Sequence, residues 1–408
     1  MSYLYTALGF IALIVAHEAG HFIAAKATGM RVERFSLFFG SPLVSVRRGE
    51  TEYAIGWLPA GGYVKIAGMN PNEELEAERE LAALQRRLSQ PPADGEAPAD
   101  ERERVGLRAR CEALRAEIAR IKARGYYNQA VWKRVVVILA GPFVNLLIAF
   151  AVLFAIYATN PVAVYNHRGQ PVISDTVAAV LPGSPAAGHL RPGDRIVAVD
   201  GHRHLSPTQV QHQIDSHRCA GALVPGCRAA TPVSIEVERN GRTSTLTLRP
   251  EYIAAYKRML VGFDFAQRYR SLGVAGAASS TVDRMGSVTA QTISAIARIF
   301  QPKERGKLHG VVGIVAVTSQ EFSFSTVDAL YTLGLISLSL AIVNLFPFLP
   351  LDGGHVFWAL AEKVRGRRIS AATMERAGMV GFALIIVIFA IGLSNDISTL
   401  TGHGFNVR

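Results

Sequence analysis

Four stretches of this chain are long and apolar enough to cross a lipid bilayer, roughly residues 3–27, 134–158, 327–347 and 376–394. A hydrocarbon core about 30 Å thick takes about 20 residues of helix. Apolar residues around one soluble core would be spread evenly along the chain. Here they gather near both ends and leave a polar middle, although half of the 408 residues are hydrophobic. The expectation is a polytopic α-helical membrane protein with about four transmembrane helices. The first run has no basic residue ahead of it and no small-residue cleavage site after it, so it reads as a retained helix and not as a signal peptide.

Charge orients the chain. The formal net charge of +11 is read as basic residues in cytoplasmic loops, with no nucleic-acid partner. The short segment between the last two spans holds Lys363, Arg365, Arg367 and Arg368, which places it in the cytoplasm. By alternation, 28–133 also lies inside, whereas both termini and 160–326 lie outside. The expectation is a multi-pass protein of the cell (inner or cytoplasmic) membrane in contact with membrane lipid.

The parse follows. Residues 1–30 hold the first span, and 31–70 form a membrane-associated β region on the cytoplasmic side. A charged helical insertion fills 71–126, with Pro and Gly around 91–98 between two helical stretches. The second span occupies 127–160. Residues 172–252 form a compact β-rich domain, in which Val233, Ile235 and Val237 alternate with polar residues and Asn240-Gly241 predicts a tight hairpin turn. An amphipathic linker, 253–325, carries a helical stripe of Val282, Met285, Val288, Ile293, Ile296 and Phe300. That stripe is expected to pack on the β domain or the membrane surface. Then come the third span (326–356), a basic cytoplasmic loop (357–375), the fourth span (376–395) and a tail (396–408).

The chemistry lies inside the first apolar run. His17-Glu18-Ala19-Gly20-His21 fits H-E-x-x-H. Residues four apart share a helix face, so both imidazoles reach one metal, and Glu18 stands ready to take a proton from a water there. The bland alternative is a polar patch satisfied by hydrogen bonds. A charged side chain at the centre of a spanning helix costs roughly 2.5–3.5 kcal/mol even on the lenient scale, which a bound dication offsets. Catalytic zinc keeps three protein ligands and an open fourth position.

Asp352 is the strongest third ligand. It sits in Asn344-Leu345-Phe346-Pro347-Phe348-Leu349-Pro350-Leu351-Asp352-Gly353-Gly354-His355, whose prolines and glycines signal an interrupted helix lining a polar cavity. Depth agrees. His17 lies roughly 21 Å below the outer end of its helix, and the third helix descends roughly 30 Å to Pro347. His355 is a rival ligand, ranked below Asp352 as a supporting or structural residue, and Glu362 ranks lower still.

These residues resemble the site-2 protease family of intramembrane metalloproteases, particularly the bacterial branch with a PDZ domain. H-E-x-x-H comes first. The segment Gly56 to Gly68, through Gly61-Gly62-Tyr63-Val64, is similar to the family's membrane-associated hairpin. Tyr127-Asn128-Gln129-Ala130-Val131-Trp132-Lys133-Arg134 then leads to Ala140-Gly141-Pro142-Phe143-Val144-Asn145, and 344–354 is similar to the Asn-x-x-Pro and Leu-Asp-Gly-Gly signature. The segment 172–252 resembles an inserted, extracytoplasmic PDZ-like domain through Pro182-Gly183-Ser184-Pro185 and Leu190-Arg191-Pro192-Gly193-Asp194.

The resemblance implies Zn2+ bound by His17, His21 and Asp352, with Glu18 as general base. It implies that Asn145 and Asn344 lie near the site, positioning substrate or stabilising the oxyanion; interhelical hydrogen bonding is the alternative for both. The strand around Gly61, Gly62, Tyr63 and Val64 is expected to pair with an unwound substrate by β-addition. That substrate is expected to be a single-pass transmembrane protein already shortened outside, such as an anti-sigma factor. The PDZ-like domain either binds the new peptide C-terminus or excludes uncut ectodomains. A non-catalytic membrane scaffold and a membrane-anchored zinc protease acting on soluble chains are the rival readings. The chain departs from the pattern in its long 72–125 insertion and in the stretch between Ser216 and Thr231. Cys219 and Cys227 lie in that second stretch, where a disulfide and two free thiols are equal alternatives.

Overall fold

The computed structural model describes residues 1–70, 72–89, 101–165, 171–298, 301 and 310–402. They divide into two compact units, one of residues 1–156 with 278–408 and the other of 157–277.

The first unit begins with helix α1, Ser2–Ala27. Its buried stripe is Thr6, Leu13, His17, Gly20, His21 and Ala25, mostly three or four residues apart and so on one face. Tyr3, Leu4, Leu8 and Ile23 are exposed. The helix stops at Gly29, whose φ of +82° suits glycine, and the Thr28 hydroxyl donates to the Ala24 carbonyl. Strands β1 (Val32–Arg48) and β2 (Thr51–Ile66) follow. Their register is irregular. Residues 34–37 of β1 are flanked on both sides by β2, through the pairs Phe35–Tyr53 and Leu37–Ile55 and through Phe35–Val64 and Leu37–Gly62. Glu50, at the turn, accepts hydrogen bonds from Arg124 at 2.7 and 3.0 Å and from Lys26 at 2.6 Å. The two cations hold its carboxyl down at about 2 and fix the hairpin beside the end of α1.

Helices α2 (Glu73–Ser89) and α3 (Glu101–Arg124) pack through Ala77, Leu81, Leu84, Leu114 and Ile118, with ion pairs such as Lys122–Glu78 outside. The expected break at 91–98 lies outside the described residues. A short 3-10 turn at Tyr126–Asn128 leads into α4, Val131–Thr159.

The second unit carries strands β3 (Val162–Ala163), β4 (Ile173–Val180), β5 (Arg195–Val199) and β6 (His202–Arg203), helix α5 (Pro207–Ser216), then β7 (Val233–Arg239), β8 (Arg242–Leu248), β9 (Glu251–Ile253), β10 (Arg258–Leu260), β11 (Phe263–Gln267) and β12 (Tyr269–Arg270). Its six-stranded sheet has the order β11-β4-β5-β7-β8, with β6 on β5. The inward residues Val177, Ile196, Val199, Val233, Ile235 and Val237 form one core with Val210 and Ile214 of α5. Ser206 and Gln209 close a capping box on α5. Asn240 and Gly241 turn β7 into β8 with φ of +52° and +73°, both positive as a type I′ turn demands. The β-rich segment does not end at 252: β11 pairs with β4, so the chain returns past the expected boundary to complete the sheet. Cys219 and Cys227 are joined in a disulfide.

Helix α6 spans Val274–Ala297. From its expected stripe, Met285 and Val288 pack on Ala149, Leu338 and Ile342 of neighbouring helices, whereas Val282 and Ile293 are exposed; Phe300 lies outside the described residues. The linker reading of 253–325 misses a further apolar helix, α7 (Val311–Phe324), which packs on α1 through Tyr5–Phe322 and Ser319–Ser2. Helix α8 (Thr326–Asn344) ends three residues before Pro347. Helix α9 (Asp352–Arg365) occupies much of the expected 357–375 loop, with Lys363 and Arg365 in its last turn, where cations suit the helix dipole. Helix α10 runs Ala371–Thr401, longer at both ends than the expected 376–395. Four of these helices, α1, α4, α8 and α10, are long and apolar enough to cross a membrane.

Candidate metal centre

The site forms where α1, α4 and the start of α9 meet. His17 and His21 lie one turn apart on the buried face of α1, both 7 % exposed. Small residues let the neighbouring backbone close on them. A Cβ on Gly141 of α4 would run into the His21 ring, and one on Gly20 would meet the Ala140 carbonyl at 2.5 Å. Glycine is required at both by close approach. Asp352 occupies the first turn of α9. Side chains at Gly353 and Gly354 would strike the backbone of Leu345 and of Phe348–Leu349. The paired glycines therefore let α9 nest in the turn after α8, which brings Asp352 to the histidines.

His17 Nε2, His21 Nε2 and Asp352 Oδ2 form a nearly equilateral triangle. Its edges are 3.3 Å between the imidazoles, 3.2 Å from His17 to Asp352 and 3.4 Å from His21 to Asp352. A tetrahedral zinc bonded at about 2.0–2.1 Å has ligand-to-ligand edges of about 3.3–3.4 Å. Asp352 Oδ2 is buried and receives no hydrogen bond, an arrangement that costs energy without a cation. Two neutral imidazoles and one carboxylate are also a donor set that catalytic zinc takes. The residues fit the metal. Among the described residues, His17, His21 and Asp352 are the group that brings metal-binding atoms together, all within 4.8 Å.

The outer partners orient the rings. His21 Nδ1 lies 2.9 Å from the Val137 carbonyl, which only accepts; Nδ1 therefore carries the proton and Nε2 presents its lone pair. His17 Nδ1 lies 3.1 Å from the Asn145 amide, whose Oδ1 is buried without a partner. Rotating that amide by half a turn puts Oδ1 on the Nδ1 proton and gives His17 the same tautomer as His21.

A cavity of about 520 Å³ opens on this centre, lined by Glu18, Asn344, Asp352, His355, Gly61, Gly62, Tyr63 and Val64, with Ile14, Phe39, Ile138 and Leu340 among its apolar walls. Glu18 stands against Gly62, where a Cβ would sit 3.0 Å from its Cγ. Gly61 has a φ of +137°, accessible to glycine and to few other residues. Residues 62–65 pair with 34–37 on one edge, and no strand pairs with their other edge among the described residues. The structure separates the two asparagines. Asn344 lines the cavity with its amide 3.5 Å from His17 Nε2, whereas Asn145 is fully buried behind the His17 ring and is no part of the cavity wall.

Glu362, the weakest metal candidate in the sequence, instead meets Arg134 at 2.7 Å with both side chains buried. Arg134 also lies over the Tyr126 and Tyr127 rings. The pair ties the far end of α9 to the start of α4. Its only sequence signal was a cation in the Tyr127-to-Arg134 motif and an anion ten residues after Asp352.

Comparison with known proteins decides the family. The chain matches the model of Peptidase family M50 over residues 5–388. It belongs to that family, the site-2 proteases. It is 26% identical over 425 residues to zinc metalloprotease RasP of Geobacillus kaustophilus, covering 95% of this chain and 96% of the relative. Proteins of Brucella suis (27% over 403 residues, 94% of this chain and 92% of the relative) and Xylella fastidiosa (28% over 485 residues, 96% and 97%) are described as candidate zinc metalloproteases. This M50 member is thus a zinc-dependent metalloprotease, and its four long apolar helices agree with a membrane protein.

Proposed function

We propose that this chain hydrolyses a peptide bond in or near the transmembrane segment of a single-pass membrane protein. His17, His21 and Asp352 hold the zinc, and Glu18 is the general base. The observation that carries this reading is the triangle of ligand atoms at the floor of a cavity, on helices of membrane-spanning length. When bound, zinc supplies a Lewis acid that polarises the scissile carbonyl and acidifies a water beside it. Glu18 takes one proton from the attacking water, whose oxygen bonds to the carbonyl carbon. Glu18 then delivers that proton to the amide nitrogen as the C–N bond breaks. The products are a carboxylic acid, which retains the water's other proton, and an amine. Asn145 keeps the His17 ring in its metal-facing tautomer, and Asn344 is the amide placed to touch the substrate carbonyl.

A helical substrate hides its carbonyls in its own hydrogen bonds, so it must be drawn out as a strand. The unpaired edge of 62–65 favours β-addition there, and the missing side chain at Gly62 lets that strand lie against Glu18. The apolar walls suit a sequence from a membrane span. The antiparallel sheet of the unit at 157–277 and helix α5 packed in its core support a PDZ-like reading, with a peptide C-terminus as ligand. We place the protein in the cytoplasmic membrane with that unit outside. A disulfide there suits an oxidising compartment, and the basic residues near 363–368 suit the inside. An anti-sigma factor shortened by an earlier cut is the substrate class we assign, in regulated intramembrane proteolysis.

Zinc content tests the centre. Wild type is expected to hold about one zinc per chain, and Asp352→Ala to lose it. Zinc retained in that variant moves the third ligand elsewhere. Glu18→Gln is expected to keep zinc and lower kcat by about 100- to 10,000-fold; unchanged cleavage removes Glu18 from the mechanism.

A further inference from the structure

We propose that His355 is a catalytic residue of the same reaction, donating a hydrogen bond from Nε2 to the scissile carbonyl oxygen as negative charge develops on it. The inference rests on the proposed hydrolysis at the His17–His21–Asp352 centre and adds a group which that reading does not use.

His355 lies three residues after Asp352 on α9. Residues three apart share a helix face with Cβ atoms about 5–6 Å apart, so the imidazole stands one turn from the ligand. It lines the cavity that holds Glu18 and Asn344, yet it lies outside the set of atoms close enough to bind one metal. Metal binding does not explain it. Its Nδ1 is enclosed and meets no hydrogen-bonding partner among the described residues. A structural histidine in a core normally has such a partner, so structural satisfaction does not explain it either.

The enclosed nitrogen fixes the tautomer. A proton on Nδ1 would leave a buried N–H with no acceptor, and orphaned N–H groups are rarer than orphaned acceptors. An imidazolium would have the same orphan and a charge besides. The favoured form is therefore neutral, with its proton on Nε2, the ring nitrogen left to face the cavity. A neutral donor held at the end of a helix that also carries a metal ligand is preorganised. It needs no reorientation when the carbonyl oxygen becomes anionic, and donors of that kind act chiefly on the transition state. His355 keeps its proton throughout. The only proton transferred is the one Glu18 carries from water to the leaving amine.

The test uses the full chain in nanodiscs with a fluorogenic single-span peptide reporter and a phosphinic-acid peptide that mimics the tetrahedral anion. His355→Phe fills the space without a donor, and His355→Gln restores an N–H at similar reach. His355→Phe is expected to lower kcat by about 100- to 1,000-fold with KM within threefold of wild type and about one zinc per chain. Phosphinate affinity should fall in parallel, and His355→Gln should recover at least tenfold of both. Zinc loss in His355→Phe, a kcat within threefold of wild type, or a rise in KM alone overturns the role. Reporter cleavage indifferent to Glu18→Gln sinks the hydrolysis reading and this role with it. Cleavage that needs Glu18 but not His355 sinks the role alone.

Discussion

The two units of this protein both bury apolar side chains, but only in the first does the buried face of a helix also carry the chemistry. In the β-rich unit the alternation of Val233, Ile235 and Val237 turns apolar side chains inward and polar ones to water. In α1 the inward stripe sets Thr6, His17 and His21 beside Leu13 and Ala25, while Leu4, Leu8 and Ile23 face out. Water drives the first arrangement, because apolar surface gains by leaving it. In lipid that drive between helices is gone, and association rests on close packing and polar contacts. Gly20 against Ala140, Ser337 donating to the Asn145 carbonyl at 2.9 Å and the histidine–aspartate cluster supply those contacts. The histidine–aspartate cluster that joins α1 to α9 is thus also the proposed metal centre.

Substitutions chosen for each unit probe that contrast. The largest effect is expected from Gly141→Leu, which drives a side chain into the His21 ring. Zinc content measured by mass spectrometry should fall well below one per chain and cleavage should vanish, while Cys219 and Cys227 remain bonded in the other unit. Zinc retention at wild-type level breaks the claim that helix spacing builds the site. Next is Ile235→Ala in the β-rich core, expected to destabilise that unit by about 2–5 kcal/mol in denaturant unfolding and to leave zinc binding intact.

A smaller effect is expected from pH. Asp194 accepts two hydrogen bonds from Arg239, which hold its carboxyl below the usual carboxylate range. With the folded value lowered, the stabilisation is fully present above about pH 3.9, the unfolded carboxylate value, and is lost as pH falls through the folded one. Unfolding curves at pH 6 and pH 3 should converge for wild type and Asp194→Asn at the lower pH; equal separation at both counts against the pair. The smallest effect is expected from Leu8→Ala on the outward face of α1, less than about 0.5 kcal/mol with zinc unchanged. A large loss there would mean that this face is covered by something.

The elements written in local pattern were legible in the sequence. H-E-x-x-H announced one helix face, Asn240-Gly241 announced a turn, and the four apolar runs announced helices. Asp352 was reachable because its prolines and glycines marked a broken helix at a matching depth. What escaped depends on contacts distant in sequence. The β-rich unit was cut short at 252 because β11, at 263–267, completes its sheet only through pairing with β4. Helix α7 is apolar but shorter than a span, so hydropathy did not single it out. Asn145 and Asn344 looked alike as asparagines near membrane helices; only packing set one behind His17 and the other in the cavity. The Arg134–Glu362 pair joins residues more than two hundred positions apart, and no local spacing reports such a pair.

The N-terminus of α7 is closed by a residue made more than eighty positions later. Asp396 of α10 is fully buried and accepts from the Gly310 and Gly313 amides at 2.9 and 2.8 Å, in the place where a helix usually takes a cap from its own preceding residue. During synthesis, α7 leaves the ribosome with those amides unmatched, and they stay so until about eighty further residues have been added. Helix α7 in turn packs on α1, which bears the histidines. The order of manufacture therefore runs opposite to the order of assembly: α1 is braced by a helix that the later-made α10 completes. A nascent chain halted before residue 396 carries every proposed metal ligand and lacks that brace.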